Sequence, residues 1–443
     1  MKVYNLFSNG QLFCKDAGYL SASPHLVSLK DLKEQVTKGQ EYLLTISIDD
    51  IIQCINTVLE FWSLRNGEIQ LKLSQFGLNY LLYWFRDSHL KQICNNSLLG
   101  NRKVLDDFCF IPANNYEVIA NPKGLIAHWL SGNVPLLGML SLIQAMLTKN
   151  ANILKVSREN YHVIPFLLDT FNKVKIKNKN GKEILGSEII KSVAAIYFEK
   201  DDIDAQNLLS QIADVRVAWG NMEAVETIMN LPKHYGTIDI IFGPRTSLMV
   251  IGKEYLQNTI DAERIAKNAA LDGSLFEQRG CNSPHTIFVE EGNPITPLDF
   301  ARLLSLEMAK LINKIPKQPV TASDSLKIMK CRVEYDIKGE AFYPSGMEWS
   351  VLYSDIDKGI ATPCFNRTLF VRPIKDIFEI ANYCSHLTQS VGTALSPERK
   401  KAFAKVVTRK GVDRVPDIGK MTLYDIPWDG VFFMNHLVRW CKL

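Results

Sequence analysis

The stretch FEQRGCNSPHTIF, from Phe276 to Phe288, places Cys281 between Gly280 and the turn-forming residues Asn282, Ser283 and Pro284. A cysteine that fills a core sits inside a periodic apolar segment. Turn chemistry on one side and a glycine on the other predict a tight bend, which exposes a reactive group while the scaffold holds it still. The thiolate is the nucleophilic form, and Arg279 two residues upstream supplies a positive charge able to stabilise it. Cys281 is thus a candidate nucleophile, with a structural cysteine as the competing reading. His285 is a candidate acid–base group against a hydrogen-bonded structural histidine. Asn133, in LSGNVP at a strand-to-helix junction, is either a helix N-cap or an amide aimed at a developing oxyanion.

These residues need elements to position them. From about Tyr116 the sequence alternates between strand-like and helical runs. GLIAHWL predicts a buried strand. SGNVPLLGMLSLIQAMLTKN predicts a helix, with Pro135 in its first turn and Asn150 at its C-terminal end. ANILKVS is the next strand and NYHVIPFLLDTFNKV the next helix. SVAAIYF, DVRVAWG and TIDIIFG are short β-rich runs, and the alternation implies an open, mostly parallel α/β sheet. A second unit is expected near Asp261, where DAERIAKNAALDGSLFEQ reads as a helix feeding the cysteine turn. HTIFVEE follows as a strand and TPLDFARLLSLEMAKLI as a helix. The alternation resumes at RTLFVRPI and ends with SVGTALSPERKKAFAKVV. The first hundred residues mix short strand-like runs with amphipathic helices such as IQCINTVLEFWSL, for which packing is the expected role.

Composition narrows the class. A chain of 443 residues predicts two or three domains, and 47% hydrophobic with 22% charged residues describes a globular enzyme. A net charge of +4 with no basic stripe between aromatics argues against nucleic acid. The basic run KVKIKNKNGK reads as a solvated loop. Nine cysteines without a C-x-x-C pair argue against a metal site and a disulfide framework, and so for a reducing cytoplasm. The N-terminus lacks signal-peptide character, and the most apolar helix is too short to span a bilayer. The G-x-G-x-x-G and G-x-x-x-x-G-K-[ST] fingerprints, the G-x-S-x-G elbow and the H-E-x-x-H helix are all missing.

SGNVP, ANILKVS, DVRVAWGNMEAV and QRGCNSPHTIFVE come in the order of the aldehyde dehydrogenase superfamily. GCNSPH and the tail GVDRVPDIGK…WDG resemble the LuxC-type acyl-CoA reductases more closely. The resemblance runs from about Lys123 to the C-terminus. It implies an aldehyde dehydrogenase-like α/β fold: residues 1–115 packing on the cofactor domain, a Rossmann-like dinucleotide-binding domain at 116–258, a thiol-bearing catalytic domain at 259–410 and an oligomerisation segment at 411–443. It implies Cys281 as the acyl-accepting nucleophile, with Asn133 and the Cys281 backbone N–H as the oxyanion hole. Lys155 falls where the family contacts the adenosine ribose, beside Ser157. Gly220 and Asn221 fall near the nicotinamide and pyrophosphate. Arg158 stands where NAD-selective members place a glutamate, and a guanidinium suits a 2′-phosphate, so NADPH is the expected cofactor.

Departures from the oxidising enzymes sharpen the expectation. Their water-activating glutamate lies in an E-L-G-G segment, where this chain has the apolar IDIIFGPR. Without that base a thioester on Cys281 should resist water and await hydride. The glutamate near the nicotinamide ribose is missing from TPCFNRTLF as well. The expected reaction is acyl thioester plus NADPH to aldehyde, NADP⁺ and free thiol, through a Cys281 thiohemiacetal. The donor would be a long-chain fatty acyl-CoA or an acyl-protein. A homo-oligomer is expected, with an acyltransferase or acyl-protein synthetase as a candidate companion. The alternatives are an acyl-phosphate reductase and an acyl-transfer subunit without hydride chemistry.

Overall fold

The computed structural model describes the chain except residues 15–17, 23, 65–66, 113–114, 133, 135 and 160, and the side chain of residue 75. The expected oxyanion donor Asn133 and helix-opening Pro135 therefore lie outside the described residues. The chain forms two units, one of Met1–Gly243, Asp425–Pro427 and Val431–Leu443, the other of Pro244–Tyr424 and Trp428–Gly430.

The first unit is built on a seven-stranded sheet in the order Ile238–Phe242, Val215–Trp219, Leu125–Trp129, Ala151–Lys155, Val193–Tyr197, Tyr4–Ser8 and Gln11–Leu12. The first five are parallel and the N-terminal pair is antiparallel. LIAHW, VAAIY and VRVAW are buried at every position, as strands covered on both faces must be. Helix Leu29–Leu44 contributes Leu29, Leu32 and Val36 to a core shared with Ala205, Leu209, Val225 and Ile228. Successive strands step outward from Leu125–Trp129 to one side and then restart at Val215–Trp219 on the other. Between those two strands the connections diverge, and the crevice at their carboxyl ends is where such sheets bind ligands.

The second unit has a six-stranded sheet in the order Glu340–Phe342, Ser350–Tyr353, Thr368–Ile374, Pro284–Glu290, Thr246–Ile251 and Thr388–Ala394, parallel except at its first strand. Alternate residues of one strand serve opposite faces. Met249 and Ile251 pack with the helices Thr259–Ser274 and Pro297–Leu311, while Leu248 and Val250 pack with Phe403 and Val407 of Pro397–Thr408. Local signals set the helix starts: Thr296 and Asp299 form a capping box behind Pro297, and Ser396 caps a helix whose first residue is Pro397.

Three boundaries differ from the sequence reading. The second unit begins at Pro244, so Thr246–Ile251 belongs to the sheet that carries Cys281. No change of composition marks that point, because both sheets use the same apolar β-rich runs. The N-terminal residues are integral to the first unit, since Tyr4–Ser8 pairs with Val193–Tyr197. The C-terminal residues do not form one body either. Residues 411–424 and 428–430 join the second unit, whereas Val438–Lys442 pairs with Tyr116–Pro122 in a three-stranded sheet of the first. Among the described residues no single helix is long and apolar enough to cross a membrane.

Candidate active site

The cysteine turn starts where helix Thr259–Ser274 stops. Phe276, Glu277 and Gln278 then adopt left-handed backbone with φ of 54°, 51° and 59°. A second left-handed run, Phe365, Asn366 and Arg367, has φ of 59°, 53° and 63°. None of the six is glycine, and each such residue costs about 1–2 kcal/mol. Strain of that size persists only where the surroundings over-determine it. Here the two runs hold each other. Asn366 N–H donates to the Glu277 carbonyl at 2.9 Å. The Glu277 carboxylate accepts Arg367 Nη2 at 2.6 Å, Arg367 Nε at 3.1 Å and Lys317 Nζ at 2.9 Å. Gln278 donates to the carbonyls of Pro284 and Thr368 and accepts from Thr368 N–H at 2.6 Å.

Cys281 follows this clamp as a half-buried residue. Ser247 Oγ donates to its carbonyl at 2.8 Å and accepts from Ser390 N–H at 3.2 Å, fastening the turn to two strands. Burial pushes the thiol up to about 12, the charge of Asp429 adds to the rise, and the Gln389 amide opposes it. The resting side chain is therefore a thiol. Gln389 donates to the buried Asp429 carboxylate, so the residue that lowers the thiol and the residue that raises it are bonded to each other. Burial raises the Asp429 carboxyl, against the lowering effect of Gln389, Arg245 and Arg414. Arg279, expected to stabilise a thiolate, pairs with Asp324 at 2.9 Å.

His285 is 3% exposed, with its ring edge-on to Phe365 at 5.2 Å and no hydrogen bond at Nδ1. Burial lowers it to about 4, so it is a neutral imidazole of low basicity at neutral pH.

The tail forms the wall behind the turn. Asn282 donates to the Met421 carbonyl at 3.1 Å, and Arg414 reaches the same oxygen at 3.1 Å while its guanidinium lies 4.6 Å over Trp428. Asp272, fully buried, accepts from Gly419 N–H at 2.6 Å and Met421 N–H at 3.4 Å, and burial lifts its carboxyl to about 7. Sequence reasoning missed Ser247, Glu277, Gln389 and Asp429 as the surroundings of Cys281. For Asp429 the signal was present, since it lies in the WDG that carried part of the resemblance. Gln389, inside an ordinary strand, gave none.

In the first unit, strand Ala151–Lys155 delivers Lys155, Ser157 and Arg158 to one end of the sheet. Lys155 Nζ lies 5.7 Å from the Tyr197 ring and 5.5 Å from that of Phe198. Burial lowers the ammonium, and the charge of Glu199 works against that. Arg158 is exposed, with one ion pair to Glu199 at 3.3 Å. Gly220 and Asn221 leave Val215–Trp219 at the switch point. Asn221 caps helix Met222–Met229 by accepting from Ala224 N–H at 3.0 Å, and a Cβ on Gly220 would meet the Ala224 Cβ at 2.9 Å. Trp219 stacks on Phe242 at 3.9 Å and its buried Nε1 has no partner. A half-buried lysine, a free indole donor and a helix N-terminus at the diverging strands fit a dinucleotide. The carboxylate of IDIIFGPR is committed elsewhere: buried Arg216 grips Asp239 at 2.6 and 2.7 Å, with Lys233 at 2.7 Å. Burial raises that carboxyl, but the two cations hold it below the usual range.

These two units, a doubly wound sheet and a sheet bearing a clamped thiol turn, have the aldehyde dehydrogenase-like fold. Aldehyde dehydrogenase 21 from Physcomitrella patens matches with a TM-score of 0.66 at 12% identity, covering 99% of this chain and 97% of that one. The 1-pyrroline-5-carboxylate dehydrogenase of Thermus thermophilus matches at 0.66 and 11% identity, covering 99% and 92%. The chain belongs to the acyl-CoA reductase (LuxC) family, whose model matches residues 43–440. Its relatives include long-chain acyl-protein thioester reductases. That of Aliivibrio fischeri is 28% identical over 349 residues, covering 77% of this chain and 68% of the relative. That of Photobacterium phosphoreum is 26% identical over 434 residues, covering 92% and 83%.

Proposed function

We propose that this protein reduces a long-chain acyl thioester, on CoA or on a carrier protein, to the aldehyde with NADPH through an acyl group held on Cys281. The observation that carries this reading is the clamped Cys281 turn in a chain of the acyl-CoA reductase family. Cys281 Sγ attacks the thioester carbonyl, and the oxyanion forms against the Cys281 N–H and Asn133. The carrier leaves as its thiol. Because burial keeps Cys281 protonated at rest, attack needs a proton acceptor, and Asp429 of the tail, whose charge already acts on the thiol, is the candidate carboxylate.

Lys155, Ser157, Gly220 and Asn221 hold the dinucleotide, and Arg158 takes the 2′-phosphate. When bound, NADPH supplies the hydride that brings the acyl group to the aldehyde level. Water competes poorly for the acyl-enzyme: Asp239 is locked by Arg216, and His285 is too weakly basic to activate it.

The test is intact-protein mass spectrometry with palmitoyl-CoA. One acyl adduct on Cys281 should accumulate without NADPH and discharge as aldehyde in a single turnover when NADPH is added. Cys281→Ala should form no adduct yet still quench NADPH fluorescence. An adduct on the alanine variant, or steady release of free acid without cofactor, would overturn the proposal.

A further inference from the structure

Two thiols outside the site lie against each other. Cys331 sits half-buried at the inner edge of helix Ala322–Lys338, whose buried residues are Ile328, Arg332 and Tyr335. Cys364 is 5% exposed in the segment leading into Phe365. Cys364 belongs to the apolar cluster of Ile328, Tyr335, Leu352 and Phe370, Cys331 packs against that cluster, and each thiol shifts the other's proton affinity. The segment matters because of its neighbours. Cys364 immediately precedes the left-handed run Phe365, Asn366 and Arg367, and that run grips Glu277 and so fixes the turn that presents Cys281.

We propose that Cys331 and Cys364 are a redox-modification site, closing to a reversible disulfide that pulls the 365–367 run off Glu277 and disengages the Cys281 turn. An S–S bond is ~2 Å long, well inside the packing distance of two thiols, so closure must draw the two segments together. The helix is the stiffer partner, and the movement falls on the strained run. A displacement of ~1 Å at a reacting group costs on the order of 10² in rate.

A peroxide is the oxidant class. The Cys331 thiolate attacks one peroxide oxygen, giving Cys331 sulfenic acid and hydroxide. Cys364 Sγ then attacks the Cys331 sulfur, and the sulfenic oxygen leaves as water. Two thiols lose two electrons and two protons, and hydrogen peroxide becomes two waters. Which sulfur reacts first follows from the surroundings. Contact with Cys364 brings Cys331 down to about 7, assisted by Lys330 and Lys338 and opposed by burial and Glu334, whereas burial pushes Cys281 up to about 12. Cys331 is the thiolate an oxidant meets, and the nucleophile is spared.

The test uses the full chain treated with hydrogen peroxide, blocked with N-ethylmaleimide and digested without reductant. The expected product is a peptide pair linked through Cys331 and Cys364, two hydrogens lighter than the reduced pair. Hydrogen exchange across Phe276–Cys281 should rise on oxidation and fall again with dithiothreitol. This reads the turn without any acyl donor, so it stands even if Cys281 is not the nucleophile. The catalytic consequence does rest on that reading: acylation by palmitoyl-CoA should fall on the order of 10²-fold and recover with reductant. Cys331→Ser, on the half-buried helix edge, should keep its acylation rate through the same peroxide treatment. Absence of the linked peptide overturns the site. A linked peptide with unchanged exchange and acylation overturns the coupling, as does Cys331→Ser losing acylation to the same extent.

Discussion

Replacing Glu277 by Gln tests whether the clamp positions Cys281 for the proposed chemistry or only stabilises the fold. The substitution keeps size and one carbonyl acceptor but removes the charge opposite two buried cations. The Arg367 and Lys317 side chains are 3% and 8% exposed. Breaking a buried pair from one side costs about 3–5 kcal/mol, chiefly because the remaining charges stay desolvated. Against it stand six left-handed residues at about 1–2 kcal/mol each, strain that the clamp must outweigh to keep the turn in place. With the carboxylate gone, the strained runs relax and Cys281 moves. The urea midpoint should correspond to a loss of ~3–5 kcal/mol, and single-turnover acylation, read by intact mass well below the unfolding transition, should slow by on the order of 10²-fold. NADPH quenching, which the proposed cofactor site in the other unit would give, should be unchanged. A variant destabilised by that amount that acylates at the parental rate would refute a positioning role.

Asp429→Asn separates two roles for that carboxylate. If it accepts the Cys281 proton, acylation should slow ~10²–10⁴-fold; if its charge merely suppresses the thiolate, acylation and iodoacetamide labelling of Cys281 should both speed up. Arg158→Glu should raise KM for NADPH about 10–100-fold, the weight of one charge-assisted contact, with little change for NADH. Equal kcat/KM for the two cofactors in the parent chain would remove the premise. Asp272 predicts a pH dependence of stability. Its folded carboxyl is raised to about 7 from 3.8, so the folded state holds the proton more tightly and loses stability as pH rises from about 4 through 7. The full effect is on the order of 4 kcal/mol above pH 7 and absent below pH 4. Asp272→Asn should flatten the urea midpoint between pH 5 and 8, and an unchanged slope would contradict a buried, protonated carboxyl.

The periodicity of the chain was enough for the helices and strands that frame the site. ANILKVS, DVRVAWG, TIDIIFG and HTIFVEE are strands, and TPLDFARLLSLEMAKLI is a helix, because burial on both faces of a parallel sheet demands continuous apolar runs and helices announce their caps. The turn around Cys281 and the ordered motifs on either side were likewise local, so the class could be read from them and Cys281 singled out as the candidate nucleophile. What the tertiary structure alone decided is long-range. Thr246–Ile251 joined the second sheet through its pairing with Pro284–Glu290 and Thr388–Ala394, and nothing in its own composition distinguishes one sheet from the other. Glu277 and Arg367 are 90 residues apart, and Gln389 and Asp429 are 40 apart. Their types are unremarkable where they stand, and their roles exist only once the chain has closed those loops. Cys331 and Cys364 became a pair in the same way, by packing in one apolar cluster rather than by any spacing in the sequence. Local free energies fix the elements and place the thiol on a turn. Contacts between distant segments fix its protonation, its strain and its support, because charge and burial act through space and not along the chain.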